Sequence, residues 1–160
     1  KILKDRGESI QYAIVGGGTD LEKIKQLTAD MDLSDIVHFY GRVSDEELVE
    51  VLNSCDLCVN PDKPTKMNDL STMNKIMEYM SLKKPIVQFD LKEGRASALE
   101  ASLYADKDSI EDFANKIAQL AHDEELRNKM GSFGYDRIKN ELSWDHERQN
   151  LISIYRKIFS

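Results

Sequence analysis

A short polar run near the middle of the sequence carries the side chains best suited to bind a charged ligand. Ser71, Asn74, Lys75 and Glu78 follow the i, i+3, i+4, i+7 spacing that places side chains on one helix face. This pattern predicts a helix over residues 72–82, whose N-terminus offers the Ser71 and Thr72 hydroxyls and backbone N–H groups to a diphosphate. Glu78 lies deeper, where a carboxylate can accept hydrogen bonds from sugar hydroxyls. A solvated Lys75–Glu78 ion pair explains the same spacing equally well.

A second candidate is the run of Gly16, Gly17 and Gly18, which follows an apolar stretch and precedes a helical pattern. Such a loop lets backbone N–H groups approach an anion at a helix N-terminus. It does not match the dinucleotide-binding pattern, because position 21 is Leu21 where that pattern needs glycine. The run therefore predicts either a ligand-facing loop or a tight turn between a strand and a helix.

The cysteine and histidine residues offer weaker chemistry. Cys55 and Cys58 have the spacing of half a zinc site, but no second cysteine pair or close histidine pair follows. A redox pair would normally open a helix, whereas Cys58 falls in a predicted strand. We therefore expect two buried structural thiols, and a structural role for His38.

The composition limits the classes of protein to which the chain can belong. Its 160 residues, 41% hydrophobic and 32% charged, suffice for one globular domain with a buried core. A formal net charge of −7 disfavours nucleic acid as a partner, because a phosphate backbone attracts the opposite charge. The sequence has no run of 18 apolar residues and no signal-peptide pattern, so a cytoplasmic protein is expected. It does not begin with Met, which suggests a fragment of a longer chain.

The hydrophobic period alternates between strand-like and helix-like along the chain. Short strands are predicted at residues 10–15, 36–40, 57–59, 85–89 and 103–104. Capping boxes at Thr19 with Glu22 and at Ser44 with Glu47 mark two of the intervening helices. This alternation predicts an α/β fold with a parallel sheet covered by helices on both faces. Ligands of such sheets bind at the carboxyl ends of the strands, where both polar candidates fall.

The C-terminal part of the sequence is expected to be mostly helical. Residues 92–95 follow the fourth predicted strand and are typical of an exposed polar loop, although Arg95 is also a candidate partner for a diphosphate. Separate helices are predicted from Ser109, from about residue 123 and over 132–140. A terminal helix is predicted at about 145–159.

Four stretches of the sequence resemble glycosyltransferase family 4, also called glycosyl transferases group 1. Residues 74–89 (Asn-Lys-Ile-Met-Glu-Tyr-Met-Ser-Leu-Lys-Lys-Pro-Ile-Val-Gln-Phe) resemble the signature helix and strand of that family. Residues 14–18 resemble its Val-Gly-x-Gly loop, and residues 39–48 its Phe-x-Gly-x-Val segment with the following helix. Residues 54–61 resemble its Ala-Asp-hydrophobic strand leading into Pro-Ser. The resemblance covers about residues 8–160.

The resemblance implies the C-terminal, Rossmann-like half of a GT-B fold, with residues 1–160 forming a single donor-binding domain. Such enzymes transfer a sugar, with retention, from a nucleotide diphosphate sugar to an acceptor hydroxyl. The donor would be of UDP or GDP type, and no other cofactor or metal is implied. The acceptor would bind a missing N-terminal domain, which would also make any membrane contact. Glycan or polysaccharide biosynthesis is the implied pathway.

In the middle of the chain, the resemblance assigns residues of the predicted helix to the nucleotide. Glu78 would bind the ribose. Ser71, Thr72 and the helix start would hold the diphosphate, mainly through backbone groups. Asn74 belongs to the same donor-binding set, and Lys75 is a weaker phosphate contact.

In the N-terminal part, the resemblance assigns two loops to the donor. Gly16, Gly17 and Gly18 would lie near the phosphates or the donor sugar. The backbone around Arg42 and Val43 would contact the base. The resemblance assigns no catalytic residue.

The sequence departs from the family pattern in two places. The family has two glutamates eight residues apart, and the first of them falls on Leu70 here, next to Asp69. Asp69 is a candidate substitute, so the donor sugar stays open. The family domain also begins with a strand absent here, so the domain is expected to be truncated at its N-terminus and inactive alone. A sugar-nucleotide epimerase of GT-B type and a non-catalytic binding module are the alternatives.

Overall fold

The structure is a computed structural model that describes residues 1–159. These residues form two compact units, the first ending at Cys55 and the second beginning at Asp56. Both units contain parallel strands with helices between them, which confirms the predicted α/β, Rossmann-like class. The strands of the described residues form two separate sheets, of two and three strands, rather than one hydrogen-bonded sheet.

The first unit has two parallel strands. Its elements in chain order are α1 (Ile2–Asp5), β1 (Tyr12–Val15), α2 (Leu21–Asp30), β2 (Val37–Gly41) and α3 (Asp45–Ser54). The capping box that begins α3 is confirmed, because Ser44 Oγ accepts the Glu47 N–H and Glu47 Oε2 accepts the Ser44 N–H. The two reciprocal bonds satisfy N–H groups that helix geometry leaves without partners.

The capping box predicted at the start of α2 is wrong. This helix begins at Leu21, and Asp20 occupies the N-cap position without a side-chain cap. Glu22 is therefore the second helical residue, one position too early for a capping box. Its carboxylate instead accepts a hydrogen bond from Lys25 Nζ at 2.8 Å.

The second unit has three parallel strands in the order β3-β4-β5. Its strands are β3 (Cys58–Asn60), β4 (Ile86–Phe89) and β5 (Ser102–Ala105). Its helices are α4 (Asn74–Ser81), α5 (Lys92–Ala98), α6 (Ile110–His122), α7 (Glu124–Arg137) and α8 (Trp144–Phe159). Every residue of β4 is buried, as expected for the central strand of a sheet covered on both faces.

The residues of β4 alternate between two apolar clusters. Val87 and Phe89 pack with Phe113 of α6 in one cluster. Ile86 packs with Ile76 of α4 in the other. Because successive strand residues point to opposite faces, each cluster covers one face of this sheet.

The predicted exposed loop at residues 92–95 is wrong, because these residues form the first turn of α5. Gly94 is buried, and a Cβ atom placed on it would lie 2.4 Å from Gln88 Oε1. The absence of a side chain at position 94 therefore lets α5 lie directly on β4. Local sequence rules count glycine as a helix breaker and do not include such a contact.

The two helices predicted around residues 123–140 are one helix, α7, which continues into a single π-helical turn at Ile138–Leu142. Gly131 and Gly134 lie inside it and are buried. A Cβ atom on Gly131 would lie 2.1 Å from the carbonyl oxygen of Lys83. Close packing, rather than a break in the helix, explains these two glycines.

The predicted terminal helix corresponds to α8, whose large apolar side chains are exposed in the described residues. No helix in the described part of the chain is both long and apolar enough to span a bilayer.

Candidate functional site

The N-terminus of α4 lies two residues later than the sequence predicts. The helix begins at Asn74, and Met73 occupies the N-cap position without a side-chain cap. The first N–H groups of an α-helix have no acceptor within the helix. In α4 no side chain caps them either. The positive end of the helix dipole is therefore available to an anionic group.

Ser71 and Thr72 precede α4 rather than lying on its face, so their predicted helical placement is wrong. Ser71 has extended backbone angles, with φ −106° and ψ 123°. Its hydroxyl donates to the Met67 carbonyl oxygen at 2.6 Å. The Thr72 hydroxyl donates to Glu93 Oε2 at 3.0 Å. Both hydroxyl protons are used within the fold, which leaves the hydroxyl lone pairs and the backbone for a ligand.

Glu78 lies one turn beyond Asn74 on the same face of α4, and both side chains are exposed. Within residues 1–159, the Glu78 carboxylate has neither a hydrogen-bond partner nor an ion-pair partner. Ser81 Oγ bonds only to the backbone oxygen of Glu78. An unpartnered carboxylate at this position can accept hydrogen bonds from a hydroxyl-bearing ligand.

Lys75 does not pair with Glu78, so that interpretation of the spacing is wrong. Lys75 Nζ lies 3.0 Å from Asp62 Oδ2, which belongs to the segment between β3 and α4. The pair is partly exposed, with 38% and 24% of the two side chains accessible to solvent. The Asp62 Oδ2 atom is itself buried and makes no hydrogen bond, so a phosphate oxygen has to compete with this carboxylate for Lys75.

Asp69, the candidate substitute for the first family glutamate, is engaged within the fold. Its Oδ1 atom accepts the Lys92 N–H at 2.9 Å and lies 3.3 Å from Lys107 Nζ. The bond from the Lys92 N–H is the main contact that holds the pKa of the Asp69 carboxyl below its ordinary value, and Lys107 adds to it. Leu70, at the position of the family glutamate itself, is exposed.

Arg95 is also engaged by neighbouring side chains. Its Nε atom donates to Asp90 Oδ1 at 2.7 Å, and its guanidinium lies 4.0 Å from the centre of the Tyr104 ring. The guanidinium holds the pKa of Asp90 below its ordinary value, and burial raises the pKa of Tyr104 to about 12. These contacts give Arg95 a structural role in the second unit.

The glycine run and Arg42 meet within the first unit. Gly16 has φ +127°, and its N–H donates to the Gly41 carbonyl oxygen at 2.7 Å. A Cβ atom on Gly17 would lie 3.7 Å from Arg42 Cγ, an ordinary van der Waals distance. The exposed Arg42 side chain therefore lies beside the glycine loop, and Val43 follows it, partly buried.

Alanine substitutions can test at which positions of the glycine run the backbone conformation requires glycine. We expect Gly16→Ala to lower the free energy of unfolding by about 1–2 kcal/mol, because an L-residue is strained at this φ. Gly17→Ala should change it by less than about 0.5 kcal/mol, since its φ is ordinary and the added Cβ meets no clash. Urea denaturation of the two variants checks both values, and equal losses would contradict this assignment.

A buried polar network at the ends of β3 and β4 was not predicted from the sequence. Asn60 Nδ2 donates to Gln88 Oε1 at 3.4 Å, and Gln88 Nε2 donates to the Gly94 carbonyl oxygen at 3.3 Å. Both side chains are almost fully buried. The available signal was a polar residue in one of the last two positions of each of two apolar strands. The network ties α5 to the sheet below it.

The prediction of two buried thiols holds for Cys58 and is wrong for Cys55, which is only partly buried. Cys55 Sγ donates to the Val51 carbonyl oxygen at 3.2 Å, and Cys58 is buried in β3. Across the part of the chain that the structure describes, no three His, Cys, Asp or Glu residues are grouped as a metal site would require. His38 Nε2 lies 2.5 Å from Gln11 Oε1, so it too has a partner within the first unit.

Sequence relatives are glycosyltransferases. An uncharacterized glycosyltransferase of Methanocaldococcus jannaschii is 25% identical over 158 residues, which cover 98% of this chain and 38% of that protein. The amylovoran biosynthesis glycosyltransferase AmsK of Erwinia amylovora is 34% identical over 89 residues, covering 54% of this chain and 22% of its own length. The chain thus spans less than half the length of these relatives.

Solved structures show the same fold. TarM of S. aureus, in a complex with Fondaparinux, alpha-GlcNAc-glycerol and UDP, superimposes with a TM-score of 0.82 at 21% identity. The match covers 96% of this chain and 30% of TarM. Such structural neighbours are GT-B glycosyltransferases, so the expected fold is confirmed. The sequence itself matches the family described as glycosyl transferases group 1 over residues 1–137. The chain therefore belongs to the glycosyl transferases group 1 family.

Proposed function

We propose that this chain is the donor-binding part of a retaining glycosyltransferase, which transfers a sugar from a nucleotide diphosphate sugar to an acceptor hydroxyl. The observation that carries the proposal is the pairing, on one short helix, of an uncapped N-terminus with the unpartnered carboxylate of Glu78. These two features match the two polar parts of a nucleoside diphosphate. One is a doubly charged diphosphate, and the other is a ribose with two hydroxyl groups.

The diphosphate is proposed to bind at the start of α4. The N–H groups of Asn74 and Lys75 would donate to its oxygens, and the Lys75 ammonium would add positive charge after leaving Asp62. Ser71 and Thr72 would contribute backbone groups and hydroxyl lone pairs. Glu78, one turn further along, would accept hydrogen bonds from the ribose hydroxyls.

In the first unit, the glycine run and the backbone around Arg42 and Val43 are proposed to contact the remaining parts of the donor. Backbone N–H groups of Gly16, Gly17 and Gly18 suit a phosphate or a sugar hydroxyl, because no side chain hinders their approach. These assignments follow the family resemblance by position.

The proposed chemistry is stabilisation of the diphosphate as it leaves the donor sugar. Negative charge develops on the departing phosphate oxygens, and preorganised N–H dipoles stabilise it without reorganisation. The chain's own donors thus supply the charge stabilisation, and retention is proposed from the family. The acceptor is proposed to bind elsewhere in the complete protein, together with any membrane contact.

The proposal extends to the setting of the reaction. A glycan or polysaccharide pathway is proposed, and the Erwinia amylovora relative named for amylovoran biosynthesis supports it. A cytoplasmic location is proposed with it, as expected from a sequence with two cysteines and no disulfide pattern.

Calorimetric titration of the complete protein with UDP and with GDP tests this function. We expect saturable binding of one nucleotide, with a Kd of about 1 μM to 1 mM, as for substrates of most enzymes. The nucleotide that binds identifies the base. Failure of both nucleotides to bind at millimolar concentration would contradict the proposal and favour a non-catalytic module.

A further inference from the structure

The segment that leads into α4 is held by side chains rather than by regular backbone bonds. After a single 3-10 turn at Asn68–Leu70, the chain runs extended through Ser71 and Met73. An extended, unpaired stretch has little intrinsic preference for one geometry, because no ladder or helix fixes its dihedral angles. The position of the first N–H groups of α4 therefore depends on what holds this stretch.

Besides the bond from the Ser71 hydroxyl to Met67, two side-chain contacts join the segment to the first turn of α5. Asp69 Oδ1 accepts the Lys92 N–H at 2.9 Å, and Thr72 Oγ1 donates to Glu93 Oε2 at 3.0 Å. The first contact also satisfies an N–H group that α5 would otherwise leave without a partner. Since α5 lies directly on β4 through Gly94, the segment is fastened to a rigid part of the fold.

Lys107 extends this arrangement to a third strand. It follows β5, and its Nζ atom lies 3.3 Å from Asp69 Oδ1. One carboxylate thus joins the segments that follow β3, β4 and β5. Both contacts are made by the same oxygen, Oδ1, so they hold the carboxylate between the first turn of α5 and Lys107.

We propose that Asp69 is a positioning residue, which fixes residues 71–73 and the start of α4 in the geometry that holds the diphosphate. This inference rests on the proposed function. It gives Asp69 a different role from that of the family glutamate, whose position falls on the neighbouring Leu70. Its carboxylate acts through the backbone of α5, and its effect reaches the nucleotide through α4.

Asp69 could position the diphosphate site or bind the donor sugar, and the two roles predict different effects of its removal on the affinities for UDP and for a UDP-sugar. A positioning residue affects the diphosphate, so Asp69→Ala should weaken UDP and a UDP-sugar by the same factor, about tenfold. A sugar ligand would leave UDP binding unchanged and weaken only the UDP-sugar. The probes are UDP with UDP-glucose and UDP-N-acetylglucosamine, or GDP with GDP-mannose where GDP is the nucleotide that binds. Weakening of the sugar nucleotide alone overturns the proposal.

Asp69→Asn supplies the rescue test. Its amide oxygen can still accept the Lys92 N–H, whereas the exposed ion pair with Lys107 is worth little. We therefore expect Asp69→Asn to bind within about threefold of the wild type. Asp106→Ala, which removes a nearby exposed carboxylate, is the matched control and should change neither affinity. An Asp69→Asn variant as weak as Asp69→Ala would contradict the importance of the Lys92 bond.

Amide hydrogen exchange separates this inference from the function on which it rests. In the complete protein without nucleotide, Asp69→Ala should speed exchange at residues 71–76 about tenfold, and Asp69→Asn should not. Unchanged exchange in Asp69→Ala overturns the proposal even if nucleotides bind. If the wild type binds neither nucleotide, the proposed function fails, while faster exchange in Asp69→Ala alone still shows that Asp69 fixes this segment. A thermal unfolding curve confirms that each variant is folded.

Discussion

Replacing Glu78 with alanine is expected to weaken nucleotide binding about 10- to 100-fold. Hydrogen bonds to a charged group contribute roughly 1.5–3 kcal/mol, and the ribose hydroxyls would lose such an acceptor. The side chain is exposed and has no partner within residues 1–159, so its removal leaves no buried group without a partner. The free energy of unfolding should therefore change by less than about 0.5 kcal/mol.

Isothermal titration of three variants with the nucleotide that binds checks this expectation. Glu78→Gln retains an acceptor and should lose less affinity than Glu78→Ala. Glu125→Ala removes an exposed carboxylate from α7 and serves as the matched control. Wild-type affinity in Glu78→Ala would exclude the ribose assignment, while leaving the fold and the family unaffected.

Replacing Gly131 with alanine is expected to be the most destabilising of the substitutions considered, at about 2–3 kcal/mol. A Cβ atom at this position would lie 2.1 Å from the Lys83 carbonyl oxygen. That oxygen belongs to the backbone of the turn after α4, so α7 or the turn has to move. The better helix propensity of alanine, worth about 1 kcal/mol, offsets part of this cost.

Two further substitutions on α7 provide a graded comparison by chemical denaturation. Gly134→Ala would place a Cβ atom 3.0 Å from Met80 Cγ and from Ala101 Cβ, so these neighbours have to shift by only a few tenths of an ångström. Its loss should be smaller, at about 1 kcal/mol. Ser132→Ala is exposed and should be close to neutral. A Gly131→Ala variant as stable as the wild type would contradict the close packing of α7.

The strands and most helices could be predicted from local patterns, although the strands form two sheets rather than one. Short apolar runs rich in β-branched residues correctly indicated the strands. All four residues of β4 are buried, as expected for the central strand of a sheet covered on both faces. The Ser44 capping box was predictable because its two bonds join residues three apart. The Ser109 cap of α6 is local in the same way, since its hydroxyl accepts the Asp112 N–H.

The features that the sequence did not reveal depend on residues far apart in the chain. Thr72 stands outside α4 because its hydroxyl bonds to Glu93, 21 residues later, and no local rule includes that contact. Lys75 pairs with Asp62, 13 residues earlier in the chain, rather than with Glu78, three residues later. Helical spacing alone does not include that longer-range pair either. Two helices were predicted around residues 123–140, whereas α7 continues through Gly131, where the Lys83 carbonyl oxygen leaves no room for a side chain.

The candidate site was predictable in part. The spacing of Asn74 and Glu78 correctly placed them on one helix face, because this relation is local. The contacts of Asp69 were not predictable, because they join the segments after three different strands. The binding roles of the site residues remain predictions.

The most direct test of the central claim is a crystal structure of the complete protein bound to whichever of UDP and GDP binds. We expect the Glu78 carboxylate within about 2.6–3.2 Å of the ribose hydroxyls, and the diphosphate at the first N–H groups of α4. Asp69 should remain bonded to the Lys92 N–H. A nucleotide bound elsewhere, or bound with Glu78 facing solvent, would contradict the assignment of this helix to the donor.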